Sequence, residues 1–433
     1  MVIKSRENMT KPNNDKASNL RILMVTDYYL PQMGGGTRYV HEVSKRLAKR
    51  SHEIHILTPK WASQSKNKEI INGIEVFRHN VTDLPILRYW TQVFNIRRYF
   101  RRLTQNAPYD LIVFYQFTSA LGIVLDKKAL NHTKMVWVFL GPPHKEINFE
   151  FSNTPFPCQY FVLEWLYKKI FLKAEVAFAK KSTQFELRIC DRVVVLSSYT
   201  KRELMELMPC LPESKICLIP AGVDIGQFRS ASVSKMKIRQ QLELPEDRLV
   251  FLTIRRLVPR MGLENLIRSI PFVLVEHKNI LLVIGGRGFL ENRLKKLVAS
   301  LEIQDYVMFA GFIPDPKLSL FYQAVDLFVL PTLALEGFGF PPLEAMACGT
   351  PALVTPIGAS PEIMKKFDPQ MITKGTDPQE IADSINAFIP DRNRPALSSS
   401  RCRNFIINNY SWDKAVSQLE KKYIELCGGG REE

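Results

Sequence analysis

Hydrophobic and polar positions follow two rhythms along this chain. Short apolar runs at residues 20–26 (LRILMVT), 53–57, 110–115, 135–139 and 192–196 are continuous rather than alternating, the pattern of strands covered on both faces. Between the first two runs, Val40, Val43, Ser44 and Leu47 recur at helical spacing and predict a helix over 37–50, entered through the glycine loop 31–36 (PQMGGG). The later part repeats the rhythm: strands at 249–255, 279–284, 306–309, 327–330 and 351–354 alternate with helices at 263–275, 291–301 and 341–347. Strands separated by helices must be joined by crossovers, so the expected fold class is α/β, with two doubly wound, Rossmann-like domains. Pro and Gly interrupt the pattern at 219–229 (IPAGVDIGQFR) and place the junction there. The expected organisation is a polar, disordered tail over 1–19, a first domain over 20–220, a second over 221–400, a C-terminal helical segment over 401–427 and a tail over 428–433. No repeat with a period of 20–50 residues occurs. Two such domains leave a cleft between the carboxyl ends of their sheets, where ligands of this architecture bind.

Charge changes the picture more than composition does. The 433 residues are 46% apolar and 24% charged, which excludes a mainly disordered or collagenous chain. The formal net charge is +16, yet residues 1–220 hold 33 basic and 19 acidic residues while residues 221–433 hold 26 and 24. The first domain therefore carries nearly all of the surplus, which points to a polyanionic partner. No uncharged apolar stretch is long enough to span a bilayer, and the N-terminal residues lack the apolar core of a signal peptide. Seven scattered cysteines without a C-x-x-C pair suit a reducing compartment rather than a disulfide framework or zinc site.

The densest chemistry lies in PTLALEGFGFPPLEAMACGTP, residues 331–351. Glu336 precedes a Gly-Phe-Gly turn, and Glu344 falls one turn into the helix that the turn opens. Backbone N–H groups of such a turn and helix N-terminus bind phosphate, and a carboxylate at that place accepts both hydroxyls of a ribose. A glycine-capped strand–helix turn with two solvated glutamates is the plain alternative.

These residues resemble the E-x7-E signature of the family 4 retaining glycosyltransferases. The likeness extends to RRLVPRMGLENLI (255–267), LLVIGGRG (281–288), VMFAGFI (307–313), IGASPEI (357–363) and the dipeptide Ser411–Trp412. In the first half it covers PQMGGGTRYVHEVSKRLAKRSHEIHILT (31–58), DRVVVLSSYTKREL (191–204) and IPAGVDIGQF (219–228), and it is weak between Trp61 and Asp110. The resemblance implies the GT-B fold, with the last helix crossing back to the first domain, and transfer of a sugar from a nucleoside diphosphate to a saccharide or lipid-linked acceptor with retention. It places Glu344 on the nucleotide ribose and Glu336 beside the donor sugar. The turn of Gly337, Phe338 and Gly339 would hold the sugar hydroxyls or phosphate, Gly34 and Gly35 would face the diphosphate, and Arg256 would neutralise it on departure. The family's lysine before Gly262 is Met261 here, so Arg260 is the expected replacement. Its histidine after the strand ending VWVFLGPPH is Leu140, leaving His144 as either a substitute or a loop residue.

No Asp-x-Asp pair is present, so the expectation is a reaction without metal or other cofactor, driven by cations and helix dipoles. The segment from Arg88 to Leu103 has five arginines and no acid, with Tyr89, Val93, Ile96, Phe100 and Leu103 on one helical face. It reads either as an interfacial helix on an anionic membrane or as a surface helix whose stripe packs on the core. The aromatic, basic segment from Tyr160 to Lys181 is expected to pack within the first domain. A cytoplasmic location follows, at the inner membrane face if the Arg88–Leu103 helix docks. A GT-B-like nucleotide-sugar epimerase or hydrolase is the competing function. Nucleic acid is not an expected partner, since no known binding module accompanies the charge.

Overall fold

A computed structural model describes residues 19–32, 34–60, 66–82, 85–105, 107–115, 117–126, 130, 133–153 and 172–428. The N-terminal tail up to residue 18, Met33, Cys158, the first part of the 160–181 segment and residues 429–433 lie outside the described residues. For helix residues 85–88, 117–119 and 151–153 the description is of the backbone alone.

Among the described residues two sheets form, one in each half. The first has eight strands: β1 (Arg21–Val25), β2 (Glu53–Lys60), β3 (Lys68–Ile71), β4 (Ile74–Asn80), β5 (Leu111–Phe114), β6 (Lys134–Phe139), β7 (Arg192–Val195) and β8 (Ile216–Leu218). Their order is β3-β4-β2-β1-β5-β6-β7-β8, parallel except for the β3–β4 pair. The second has β9 (Leu249–Ile254), β10 (Ile280–Gly285), β11 (Val307–Gly311), β12 (Leu327–Leu330) and β13 (Ala352–Val354) in the order β11-β10-β9-β12-β13, all parallel. The central strands are sealed on both faces; β5, β10 and β12 are buried along their whole length, which explains their unbroken apolar runs. The chain reverses direction across each sheet between β1 and β5 and between β9 and β12, and loops leaving the carboxyl ends at such points form a crevice. The glycine loop follows β1, Arg255 and Arg256 follow β9, and the Glu336 turn follows β12.

Helices near the cleft among the described residues include α1 (Gly35–Lys49), α2 (Pro85–Thr104), α3 (Pro143–Asn153), α4 (Leu172–Ile189), α5 (Ser198–Leu207), α6 (Asp315–Ala324), α7 (Phe340–Ala347) and α8 (Trp412–Gly428). The last of these returns to the first domain. Arg50 and His52 both bond the Glu420 carboxylate, His52 at 2.9 Å, and Arg46 meets Asp413 at 3.3 Å. The crossing point is tight: a Cβ on Gly222 would stand 2.3 Å from the Trp412 nitrogen. Trp412 is buried between Tyr39 of α1 and Phe340 of α7, with ring centroids 5.5 and 6.1 Å away, so one indole ties both domains together.

The apolar stripe of α2 is core. Ile96 and Phe100 are fully buried in the first domain, which corrects the interfacial reading of that face; the stripe had to cover a sheet before it could meet a lipid. The outward face carries Trp90 and Phe94, 66% and 67% exposed.

Candidate functional site

The turn after β12 is set by backbone conformations that few residues adopt. Leu335 has φ +58° and Gly339 has φ +88°, so the chain enters and leaves the Glu336 turn through left-handed residues. At Gly339 the absence of Cβ removes the strain; at Leu335 the strain is held locally, since Arg260 donates from Nη1 to the Leu335 carbonyl at 3.1 Å. Arg260 is buried and its Nε has no partner. Burial and the neighbouring Arg256 and Arg255 pull its pKa down against Glu146 and Glu336. A guanidinium stays protonated even so, and Arg260 is a cation beneath the turn. Phe338 is buried, its ring packed 5.3 Å from Phe340 and 6.2 Å from Tyr410, so its side chain anchors the turn and its backbone faces the cleft rim.

Glu336 pairs with Arg255, whose Nη2 lies 2.5 Å from the carboxylate while Nη1 donates to Thr332 Oγ1 at 2.9 Å. The Arg255 guanidinium also rests against the Met261 sulfur at 2.8 Å. Arg256 points the other way: its side chain is 59% exposed and reaches Glu150 of α3 at 3.2 Å. The structure thus joins Glu336 to Arg255, a residue that sequence reasoning passed over, and holds Arg256 at the cleft mouth. Successive residues leaving a strand point to opposite sides, and nothing in an Arg-Arg pair tells which one turns inward.

Across the cleft, α3 presents Glu146, whose carboxyl is pushed up by burial and moderated by Arg260 and Arg256. Sequence reasoning missed Glu146 and Glu150 as well; their only signal was acidity in a basic half. His144, in the first turn of α3, is half-buried with Nδ1 unpartnered. Burial and the nearby Lys180 and Lys145 lower its pKa, which favours the neutral imidazole. It is not brought into contact with Glu336 or Glu344.

Glu344 lies on α7, 4% exposed. Tyr322 of α6 donates to its Oε2 at 2.9 Å, and Arg38 of α1 bonds its Oε1. Burial pushes the Glu344 pKa up and the Arg38 charge opposes it. Gly35 approaches the same region: a Cβ there would lie 3.7 Å from the Phe340 ring. Gly34 is the N-cap of α1, extended at φ −169°, and a Cβ on it would meet no atom within 4 Å. Neither backbone conformation nor packing demands a glycine there. The N-terminal N–H groups of α1 have no partner within their helix, so the residues brought together are two helix N-termini, a set of guanidinium groups and two carboxylates. Such a set suits binding a diphosphate joined to a polyhydroxylated group.

Two family profiles match consecutive parts of the chain: Glycosyltransferase Family 4 over residues 33–227 and Glycosyl transferases group 1 over residues 234–412. A GDP-mannose-dependent alpha-(1-6)-phosphatidylinositol monomannoside mannosyltransferase of Mycobacterium tuberculosis is 24% identical over 92% of this chain and 97% of its own. A phosphatidylinositol N-acetylglucosaminyltransferase chain of Arabidopsis thaliana is 24% identical over 93% and 81%. Among solved structures, sucrose-phosphate synthase from Thermosynechococcus elongatus is similar with a TM-score of 0.75 at 18% identity, covering 95% of this chain and all of that one. Anabaena HepE in complex with UDP and glucose is similar with a TM-score of 0.68 at 18% identity, covering 93% and 99%.

Proposed function

The chain belongs to the family 4, group 1 glycosyltransferases of the GT-B fold, and from that premise we propose that it moves a sugar from a nucleoside diphosphate to a saccharide or lipid-linked acceptor with retention at the anomeric carbon. The observation that carries this reading is the Glu336 turn, built from left-handed residues after β12 and backed by Arg255 and Arg260. In this reading the ribose hydroxyls bond Glu344, and the diphosphate lies between the N-termini of α1 and α7. Gly34 and Gly35 let the first domain's backbone approach it. The N–H groups of the Gly337–Phe338–Gly339 turn and the Glu336 carboxylate orient the sugar.

During transfer the bond between the anomeric carbon and the diphosphate oxygen breaks with its electron pair on the diphosphate. The acceptor oxygen bonds that carbon and its proton is released. Charge grows on the leaving group, and in this reading Arg256, Arg255 and Arg260 stabilise it and no metal takes part in the step. Charge-assisted bonds in a closed cleft are worth more than in water because little reorganisation accompanies them. His144 is given a positioning place on the acceptor side.

The lipid-linked acceptor is supported by the two relatives, both named for phosphatidylinositol substrates, and by the surplus of cations in the first domain. No helix among the described residues is long and apolar enough to cross a membrane. The outer face of α2, with Trp90, Phe94, Arg98 and Arg102 exposed, is proposed to rest on an anionic membrane surface, placing the enzyme in the cytoplasm at the membrane's inner face in cell-surface polysaccharide or glycolipid synthesis.

A thermal-shift screen of UDP, GDP, ADP and their sugars tests the donor, because bound ligand raises Tm with the logarithm of its concentration. The expected result is one responding base, with affinity reduced at least about tenfold by Glu344→Ala, the loss of a charged hydrogen-bond acceptor. Arg256→Ala should chiefly lower turnover. No response to any nucleotide, with no transfer or slow hydrolysis of any nucleotide sugar, overturns the reading; a donor converted without any acceptor points to the epimerase or hydrolase.

A further inference from the structure

The carboxylate assigned above to ribose is already occupied from within the chain. Arg38, in the first turn of α1, bonds Glu344 Oε1 with Nη1 and Asp315 Oδ1 with Nη2, the latter at 2.8 Å. Its guanidinium lies 5.7 Å from the centre of the Phe228 ring. Arg38 comes from the first domain, Glu344 and Asp315 come from the second, and Phe228 comes from the junction between them. Tyr322 takes the other Glu344 oxygen. The Glu344 side chain is 5% exposed and that of Arg38 17%, so a hydroxyl approaching Oε1 must take the place of the guanidinium.

Other contacts cross the cleft: Ser197 Oγ donates to the Gly337 carbonyl at 2.9 Å, and the Ser198 N–H donates to Glu362 at 2.8 Å. Arg256–Glu150 and Arg202–Glu362 are exposed pairs, the kind worth little in water. Arg38 differs from all of them because it closes the cleft by means of a buried carboxylate that the donor also needs.

We propose that Arg38 is an interdomain latch seated where the ribose of a nucleoside diphosphate binds, so that nucleotide entry and latch closure compete for Glu344. The proposal rests on the ribose reading of Glu344. Latched molecules cannot accept the nucleotide, and the apparent affinity falls by the fraction of molecules unlatched. The guanidinium, two carboxylates and an aromatic ring form a pre-organised set, which is what makes the latched state a competitor rather than a passing contact. A ligand that displaces Arg38 also removes its bridge to Asp315, which ties occupancy of the nucleotide site to release of this interdomain contact.

The test is a comparison of the full-length protein with Arg38→Ala and Arg38→Lys, titrated calorimetrically with UDP, GDP and ADP, together with small-angle scattering of each protein without nucleotide. Arg38→Ala is expected to bind the accepted nucleotide about fivefold tighter or more, the lower range of coupling between linked sites, and to have a larger radius of gyration. Arg38→Lys should fall between. Unchanged or weaker nucleotide binding in Arg38→Ala overturns the latch, as does an unchanged radius. Should Arg38→Ala fold poorly, Asp315→Ala removes half of the latch and leaves Glu344 in place; it should tighten binding, by less than Arg38→Ala would, and unchanged or lower affinity there counts against the proposal. Glu344→Ala separates the two readings. Weaker binding when Glu344→Ala is added to Arg38→Ala, where no latch competes, supports the ribose site, whereas equal affinity with and without Glu344→Ala in that background sinks the ribose site even if scattering still reports a latch.

Discussion

Glu186 of α4 is sealed from solvent, and neither carboxyl oxygen has a hydrogen-bond partner. Burial pushes its pKa well above the usual carboxylate range, the Asp27 charge adds to that, and the nearby Leu121 backbone only partly offsets it. A carboxyl raised in the folded state contributes stability that is fully present below its unfolded value of 4.5 and is lost as pH rises through the folded value. Between those two values, one proton held by the folded form alone costs about 1.4 kcal/mol of stability per pH unit. Glu186→Gln keeps the shape and discards the titration. Its Tm relative to the parent should therefore climb as pH rises above 4.5; parallel Tm–pH curves for the two proteins would mean that Glu186 is ionised in the fold. Such a residue has no signature in sequence, since an isolated Glu on a helix reads as solvated. The same limit applies to Arg38, whose carboxylate partners lie beyond position 300, and to Arg255, which differs from Arg256 only in the side of the strand it leaves. Glu336 and Glu344 were legible because a Gly-Phe-Gly turn fixes their place locally, with no help from distant contacts.

At the scale of elements, α2 has two faces with separate duties. Ile96 and Phe100 face the first domain's core and Trp90 and Phe94 face outward. Arg97 and Arg101 are both turned toward Asp126, Arg97 at 3.5 Å, whereas Arg98 and Arg102 carry no ion pair among the described residues. Truncating the inner face, Ile96→Ala, should cost about 3 kcal/mol of stability by loss of burial and the cavity left behind, seen as a lower Tm, with vesicle binding unchanged. Reversing the outer charges, Arg98→Glu with Arg102→Glu, should leave Tm nearly as it was and lower flotation with phosphatidylglycerol-containing vesicles by about tenfold or more, on the scale of about 1 kcal/mol per cation near an anionic surface. Equal binding of the parent to anionic and to pure phosphatidylcholine vesicles would remove the electrostatic account of this face. Hydrophobic spacing found the helix and its stripe, but spacing alone does not say whether a stripe meets a sheet or a lipid. Between Trp61 and Asp110 the pattern also concealed the β3–β4 pair. β3 is an edge strand whose residues are at most half-buried, so its apolar signal is weak.

For the molecule as a whole, the alternation of strands and helices was enough to yield two doubly wound domains, because crossover connections admit few other arrangements. How closely the domains approach is written in single atoms. Gly337 stands against the first domain: a Cβ added there would lie 2.3 Å from the carbonyl oxygen of Leu140, a backbone atom held at the end of β6 that cannot swing aside. Gly337 is not among the residues with a left-handed backbone, so Gly337→Ala is compatible with its own turn and obstructs only closure. The Glu344 side chain and the N-terminus of α7 stay intact in the variant. Nucleoside diphosphate affinity should consequently be kept or raised, while transfer, which needs the first domain's groups against the donor, should slow by about tenfold or more, as expected when reacting groups are held about an ångström out of place. Single-turnover rates and calorimetric titration of the same preparation check the two halves of this expectation. A variant that transfers at the parental rate would show that the contact between Gly337 and Leu140 is not part of the reactive arrangement, and that chemistry proceeds with the domains further apart.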